Sequence, residues 1–271
     1  MQFKGSKVKL DTDKMLAEID DGIGWVTFNN PERRNAISLE MWDGLAVILE
    51  AFQADPSVRV VVLKGAGDQA FVSGADISEF DTKRSTAAQK DTYGKTMSSA
   101  NRWLAKLDKP MIAMIQGYCI GGGLATALSA DIRFATPDST FGIPAAKLGL
   151  GYEYEGLVRL SQLVGPSRAK DIMFSARFME ASEALAMGLV NRICERQDLE
   201  REVREYAALV AANAPLTVKA AKAAINESQK DPAHRDLTTI RTMIDTCFDS
   251  DDYREGRLAF KEKRKPEFKG A

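Results

Sequence analysis

The residues Gln116-Gly-Tyr-Cys-Ile-Gly-Gly-Gly-Leu-Ala-Thr-Ala-Leu-Ser-Ala-Asp131 place a triple glycine between an apolar run at 111–115 and a small-residue helical run at 124–130. Consecutive glycines cost chain entropy, so they belong where a Cβ would block a ligand or where φ/ψ is unusual. At a helix start, unpaired N–H groups and the positive end of the helix dipole converge. That arrangement suits an anion or a carbonyl oxygen gaining negative charge during reaction. A tight strand-to-helix turn, close-packed for steric reasons, fits the same residues. A second stretch, Ala70-Phe-Val-Ser-Gly-Ala-Asp-Ile-Ser-Glu-Phe80, follows the strand-like run 58–63 and supplies another small turn after a β-run.

Other chemistries are poorly served. The chain has one histidine, His234, in the polar stretch Asp231-Pro-Ala-His-Arg-Asp236, which predicts exposure and disfavours Ser-His-Asp and Cys-His catalysis. Its three cysteines, Cys119, Cys194 and Cys247, show no CxxC spacing, so they read as reduced thiols rather than a disulfide framework or a zinc site. A net charge of −1 offers no global attraction to nucleic acid or an anionic membrane. No apolar run is long enough for a membrane span and the basic N-terminus lacks an apolar core, so a cytoplasmic location is the expectation. Val60-Val-Val-Leu-Lys-Gly-Ala-Gly-Asp-Gln-Ala70 imitates a dinucleotide fingerprint, but it runs into Phe71-Val-Ser-Gly rather than opening a helix.

With 271 residues and 45% hydrophobic content, the chain can bury one large core. The elements that would position the glycine turns alternate between β and α. Residues 16–20 and 23–28 flank Asp20-Asp-Gly22, which predicts a hairpin. Ser38 stands where it can cap a helix carrying Trp42, Leu45, Ile48, Leu49 and Phe52 at three-to-four spacing, ended by Asp55-Pro56. A buried strand is expected at 58–63. The polar stretch 81–95 reads as a mobile lid. From Leu157 the pattern is nearly all helical, with helices predicted at 199–212, 216–225 and 238–248. No internal repeat stands out.

Together, Phe71-Val-Ser-Gly-Ala-Asp-Ile77 and Gly117-Tyr-Cys-Ile-Gly-Gly-Gly123 resemble the paired oxyanion-hole loops of the crotonase superfamily, the enoyl-CoA hydratases and isomerases. Asn30-Pro-Glu-Arg-Arg-Asn-Ala36, Ala184-Leu-Ala-Met-Gly-Leu-Val-Asn191 and Glu255-Gly-Arg-Leu-Ala-Phe-Lys-Glu-Lys-Arg264 follow in the same order, so the resemblance spans about residues 15–269. It implies an α/β fold, a spiral of ββα turns, over 1–200, with a helical region at 201–271 that builds homotrimers or hexamers. It also implies an acyl-CoA substrate, with coenzyme A present only as part of the thioester and no metal. The amides of Ala75 and Gly122 would hold the thioester carbonyl. Arg33 or Arg34 would approach phosphate, groups near Ser73 to Ala75 would meet the adenine, and Phe260 and Lys263 match positions contributed to the nucleotide end, sometimes from a neighbouring subunit. A solvated basic tail explains Phe260 and Lys263 equally well. Tyr118 and Cys119 read as buried packing, and Asp76 as the fastener of its own turn.

The chain departs from hydratases where they carry two catalytic glutamates. Ala125 and Ala145 occupy those positions, and alanine neither orients water nor moves a proton. The loop Leu148-Gly-Leu-Gly-Tyr-Glu-Tyr-Glu-Gly156 offers substitutes. Glu153 matches the position where some isomerases of the superfamily place a carboxylate, and its tyrosine and leucine neighbours would desolvate it and raise its pKa. Glu155 is the reserve; the two would face one way in an extended loop but not in a helical turn. Solvated loop glutamates are the opposing reading. The resemblance thus points to double-bond isomerisation through Glu153. Hydration by a shifted carboxylate, thioester hydrolysis or dehalogenation, and a non-catalytic acyl-CoA-binding or RNA-binding relative stay open, with near-neutral charge against RNA.

Overall fold

The computed structural model describes residues 8–79 and 87–271, except for the side chains of Ile77 and of 87–93. Strands β1 (Met15–Asp20) and β2 (Ile23–Phe28) form the predicted antiparallel hairpin, with Asp20 opposite Ile23. Asp21 and Gly22 take φ of 48° and 79°, the left-handed pair whose twist suits a two-residue hairpin turn. Helix α1 (Leu39–Ala54) then buries Met41, Trp42, Leu45, Ile48, Leu49 and Phe52. Asp55, restricted by the following Pro56, leaves the helix with ψ of 111°. Ser38 occupies the N-cap position, but its side chain does not cap. The Glu79 carboxylate accepts from the Leu39 N–H instead, at 2.8 Å.

Three turns of strand, strand and helix follow. They are β3 (Val60–Gly65), β4 (Ala70–Val72) and α2 (Ala87–Lys106); β5 (Met111–Ile115), β6 (Tyr118–Ile120) and α3 (Gly122–Ala127); and β7 (Ile132–Ala135), β8 (Thr140–Gly142) and α4 (Tyr154–Val164). The first strand of each turn joins a six-stranded sheet, β1-β2-β3-β5-β7-β10, where β10 is Arg192–Ile193. The second strand of each turn joins a four-stranded sheet, β4-β6-β8-β9, where β9 is Met179–Glu180. Pairing from β2 to β7 and from β4 to β8 is parallel. This is the spiral expected from the resemblance, and its repeat lies in topology rather than in residues.

The large sheet is covered on both faces, which is why its strands read as unbroken apolar runs. Val61 and Leu63 enter the main core with α1, while Val60 and Val62 alternate to the other face. That second face receives Leu199, Val203 and Ala207 from α7 (Leu199–Ala211). Helix α7 therefore crosses the expected boundary at 200/201 while packed on the core. The remaining helices are α5 (Pro166–Ser175), α6 (Ala181–Ala186), α8 (Pro215–Ser228), α9 (Leu237–Asp249) and α10 (Asp251–Glu262). The stretch 81–95 is not one loop: 81–86 lie outside the described residues, and 87–95 are the opening turns of α2.

Candidate active site

Strands β4 and β6 are parallel neighbours, so the chain leaves both at the same edge of the small sheet, the edge where open α/β sheets bind ligands. From β4 it runs into Ser73-Gly74-Ala75, and from β6 into Gly121-Gly122. Ile37 brackets Ala75. Its N–H donates to Gly74 O at 2.8 Å, and its carbonyl accepts from Asp76 N at 2.9 Å. In a parallel bridge the flanking groups do the pairing, so the N–H of Ala75 itself faces away from Ile37. The N–H of Gly122, at the first position of α3, has no partner within its helix. Among the described residues neither amide donates a hydrogen bond. A Cβ built on Gly122 would lie 3.9 Å from Ala75 N, in the space that the two loops share.

The three glycines serve different ends. Gly121 has φ of 55° and ψ of −117°, a conformation hostile to any side chain. A Cβ on Gly123 would lie 2.2 Å from the Val72 carbonyl oxygen, so α3 approaches β4 only without one. Gly122 keeps the shared space empty. With only six residues, α3 contributes a free peptide N–H rather than a large dipole.

Ala145 is buried and Ala125 half-buried, one turn into α3. Glu153 is the N-cap residue of α4, extended at φ −66° and ψ 141°, and its side chain makes no capping bond; Glu155 sits in the first turn. Both carboxylates are exposed, so the expected desolvation of Glu153 is absent from the single chain, and the two do not share an extended segment. Tyr154 is 75% exposed, whereas Tyr152 turns inward and places its hydroxyl 3.2 Å from Gly121 O. Burial pushes the Tyr152 phenol up to about 12.

Arg33, Arg34, Ser73 and Ala75 do come together. Ser73 donates from its N–H to Arg34 O at 3.1 Å and from its hydroxyl to Arg33 O at 3.3 Å. Arg33 reaches Asp76 at 3.3 Å and the Ser78 hydroxyl at 3.0 Å, and Arg34 lies 5.0 Å from the centre of the Tyr118 ring. Tyr118 is thus a half-open platform under a cation rather than buried packing, whereas Cys119 is fully buried and its thiol is pushed up by burial. Asp76 fastens its own turn, accepting from Ser78 N at 3.0 Å and from the Ser78 hydroxyl at 2.6 Å. Burial works against its charge, but the Ser78 bonds and the Arg33 and Lys14 charges hold its carboxyl below the ordinary value. Phe260, 88% exposed, and Lys263, the left-handed residue ending α10, share no hydrogen bond, ion pair or ring contact with this cluster among the described residues.

Sequence reasoning missed Ile37 and Tyr152. Both act on the glycine loops from distant parts of the chain, and nothing local marks them. The nucleotide lookalike is resolved by topology: β3 ends at Gly65 and the chain turns directly into β4. His234 is exposed, as its polar surroundings predicted. A polar groove lined by Gln69, Gly117, Tyr118, Thr140 and Arg196 lies at the entering ends of β4, β6 and β8, away from the paired amides.

Residues 18–271 match the enoyl-CoA hydratase/isomerase family model. The short-chain-enoyl-CoA hydratase of Clostridium acetobutylicum is 34% identical over 258 residues, covering 95% of this chain and 98% of the relative. The crotonyl-CoA hydratase of Syntrophomonas wolfei is 31% identical over 256 residues, covering 94% and 98%. The crystal structure of an enoyl-CoA hydratase/carnithine racemase from Magnetospirillum magneticum superposes with a TM-score of 0.89 at 38% identity, covering 96% of this chain and 97% of that one. The spiral of ββα turns, the two glycine loops at one sheet edge and these likenesses along nearly the whole chain agree, and the chain belongs to the enoyl-CoA hydratase/isomerase family of the crotonase superfamily.

Proposed function

We propose that the Ala75 and Gly122 amides hold the carbonyl oxygen of an acyl-CoA thioester, and that Glu153 moves a proton between C2 and C4 of an enoyl chain. The observation that carries this reading is the pair of N–H groups past the ends of adjacent strands, neither with a partner among the described residues, beside a space that a Cβ on Gly122 would enter. Two preorganised donors stabilise the oxygen of an enolate, which makes the C2 proton removable. The same carboxyl then returns the proton at C4, so one carboxylate suffices and the reaction is redox-neutral. Glu153 follows directly on Tyr152, whose hydroxyl touches the Gly121 carbonyl, so its backbone is tied to the donor loop, and its carboxylate has no capping duty. Arg33, Arg34 and Ser73 take the CoA phosphate and adenine end, and Phe260 and Lys263 complete it from a neighbouring subunit.

Hydration is the second reading, favoured by the names of the relatives from C. acetobutylicum and S. wolfei, both hydratases. Against it stand Ala125 and Ala145, which supply no group to orient water. Mass spectrometry of 2-enoyl-CoA and 3-enoyl-CoA after incubation in D₂O separates the two. Isomerisation installs carbon-bound deuterium without gain of water; a gain of water makes the chain a hydratase and removes the isomerase reading.

The exposed apolar residues Leu237, Ile244 and Phe248 of α9, a helix with no buried residue, support a homotrimer or a dimer of trimers in which α8 to α10 pack against partner subunits.

A further inference from the structure

The carbonyl of Gly121 and the N–H of Gly122 belong to one planar peptide unit, so whatever grips the carbonyl also aims the N–H. This peptide has a glycine on each side and lacks the steric brakes that side chains would supply. Turning it over would reverse the direction of the Gly122 N–H. Two hydrogen bonds oppose that rotation. Ala125 N donates to Gly121 O at 3.0 Å as part of α3, and the Tyr152 hydroxyl donates to the same oxygen at 3.2 Å.

We infer that Tyr152 is a positioning residue of the thioester site: its hydroxyl fixes and polarises the Gly121–Gly122 peptide so that the Gly122 N–H is a stronger, correctly aimed donor. A hydrogen bond accepted by an amide oxygen draws electron density from the nitrogen, and linked hydrogen bonds strengthen one another. The surroundings of Tyr152 are arranged for this task. Its ring packs against the main core, and a Cβ added at Gly156 would lie 3.2 Å from its Cε1, so the glycine one turn into α4 makes room for the ring. Burial keeps the phenol protonated, and therefore a donor, throughout the neutral and mildly alkaline range. Nothing in this role requires Tyr152 to touch substrate.

The inference rests on the proposed thioester site, and one experiment separates the two. Hexanoyl-CoA labelled with ¹³C at C1 is bound to the full chain, and the carbonyl stretch is read by difference infrared spectroscopy. The wild-type chain should lower the frequency of the bound carbonyl; absence of any shift overturns the thioester site and the role of Tyr152 with it. Given that shift, Tyr152→Phe should reverse part of it and lower kcat about tenfold, the scale of one lost hydrogen bond, with KM and affinity for free CoA unchanged. Should Tyr152→Phe fold poorly, Gly156→Ala displaces the ring while keeping the hydroxyl, and the same partial reversal is expected. A wild-type band shift retained in full by the folded variants would refute the positioning role and leave the thioester site standing.

Discussion

Ile37 and Ala75 form an isolated parallel bridge in which Ile37 satisfies the backbone groups on either side of Ala75 and leaves the Ala75 N–H without a partner among the described residues. Ile37 is fully buried, so the bridge joins the proposed Ala75 donor to the main core. An oxyanion site needs donors that do not reorganise when charge develops, and this bridge provides that rigidity. On the other side the same fixity comes from β6, whose next amide, Gly121 N–H, donates to Gly142 O at 2.8 Å.

Gly122→Ala tests the shared space directly. The position has no positive φ and the added Cβ meets only Ala75 N, at 3.9 Å, so folding and thermal stability should be unaffected or slightly improved. In the proposed thioester site the added methyl group takes the place of the carbonyl oxygen. Turnover should fall by about 10²–10³, the scale of losing one oxyanion donor, and steady-state kinetics beside a melting curve would read both effects.

The two loop glutamates are separable by substitution. Glu153→Gln should lower kcat by about 10²–10⁴, the range of a general acid–base group, while Glu155→Gln in the first turn of α4 stays near wild type. Equal losses in both variants would assign the proton transfer to the loop as a whole rather than to Glu153.

Asp76 sets an acid limit. Its carboxyl is held below the ordinary 3.8, so the stability it adds is complete above that unfolded value and drains away as pH falls through the folded one. Asp76→Asn should lower the melting temperature at neutral pH, where the Arg33 ion pair is lost and the Ser78 bonds lose their charge assistance, and the gap to wild type should narrow below pH about 3.8. Melting curves from pH 7 down to 3 would check the sign. A gap that widens on acidification contradicts it.

Sedimentation of the purified chain should give three or six times its 29.7 kDa, and Phe248→Asp on α9 should reduce that mass or prevent assembly. A stable monomer with exposed α9 would remove the proposed role of the C-terminal helices.

The hairpin was legible because its signal is local: Asp21 and Gly22 tolerate left-handed φ between two apolar runs. Helices α1, α7, α8 and α9 were legible for the same reason, each showing three-to-four periodicity near its observed bounds. Strands β6, β8, β9 and β10 were not, since two or three residues show no period and owe their form to neighbours far along the chain. Helix α10 could have been found: Ser250 caps it by accepting from Tyr253 N at 3.0 Å, with Asp251 and Asp252 in the first turn. The glycine loops announced a backbone site, but the identity of the donors came only through resemblance. Ser38 shows the limit well. Its type and place predict a cap, yet Glu79, forty residues on in the same folded unit, makes the bond.

In the proposed mechanism Ala75 and Gly122 jointly acidify the C2 proton of a bound thioester and Glu153 carries it. The most direct test is deuterium entry at C2 of 3-enoyl-CoA in D₂O, followed by mass spectrometry for wild type, Gly122→Ala and Glu153→Gln. Rapid exchange by the wild-type chain and a loss of at least about 10²-fold in each variant are expected. Exchange that persists unchanged in either variant, or a wild-type rate no faster than buffer, would contradict this mechanism.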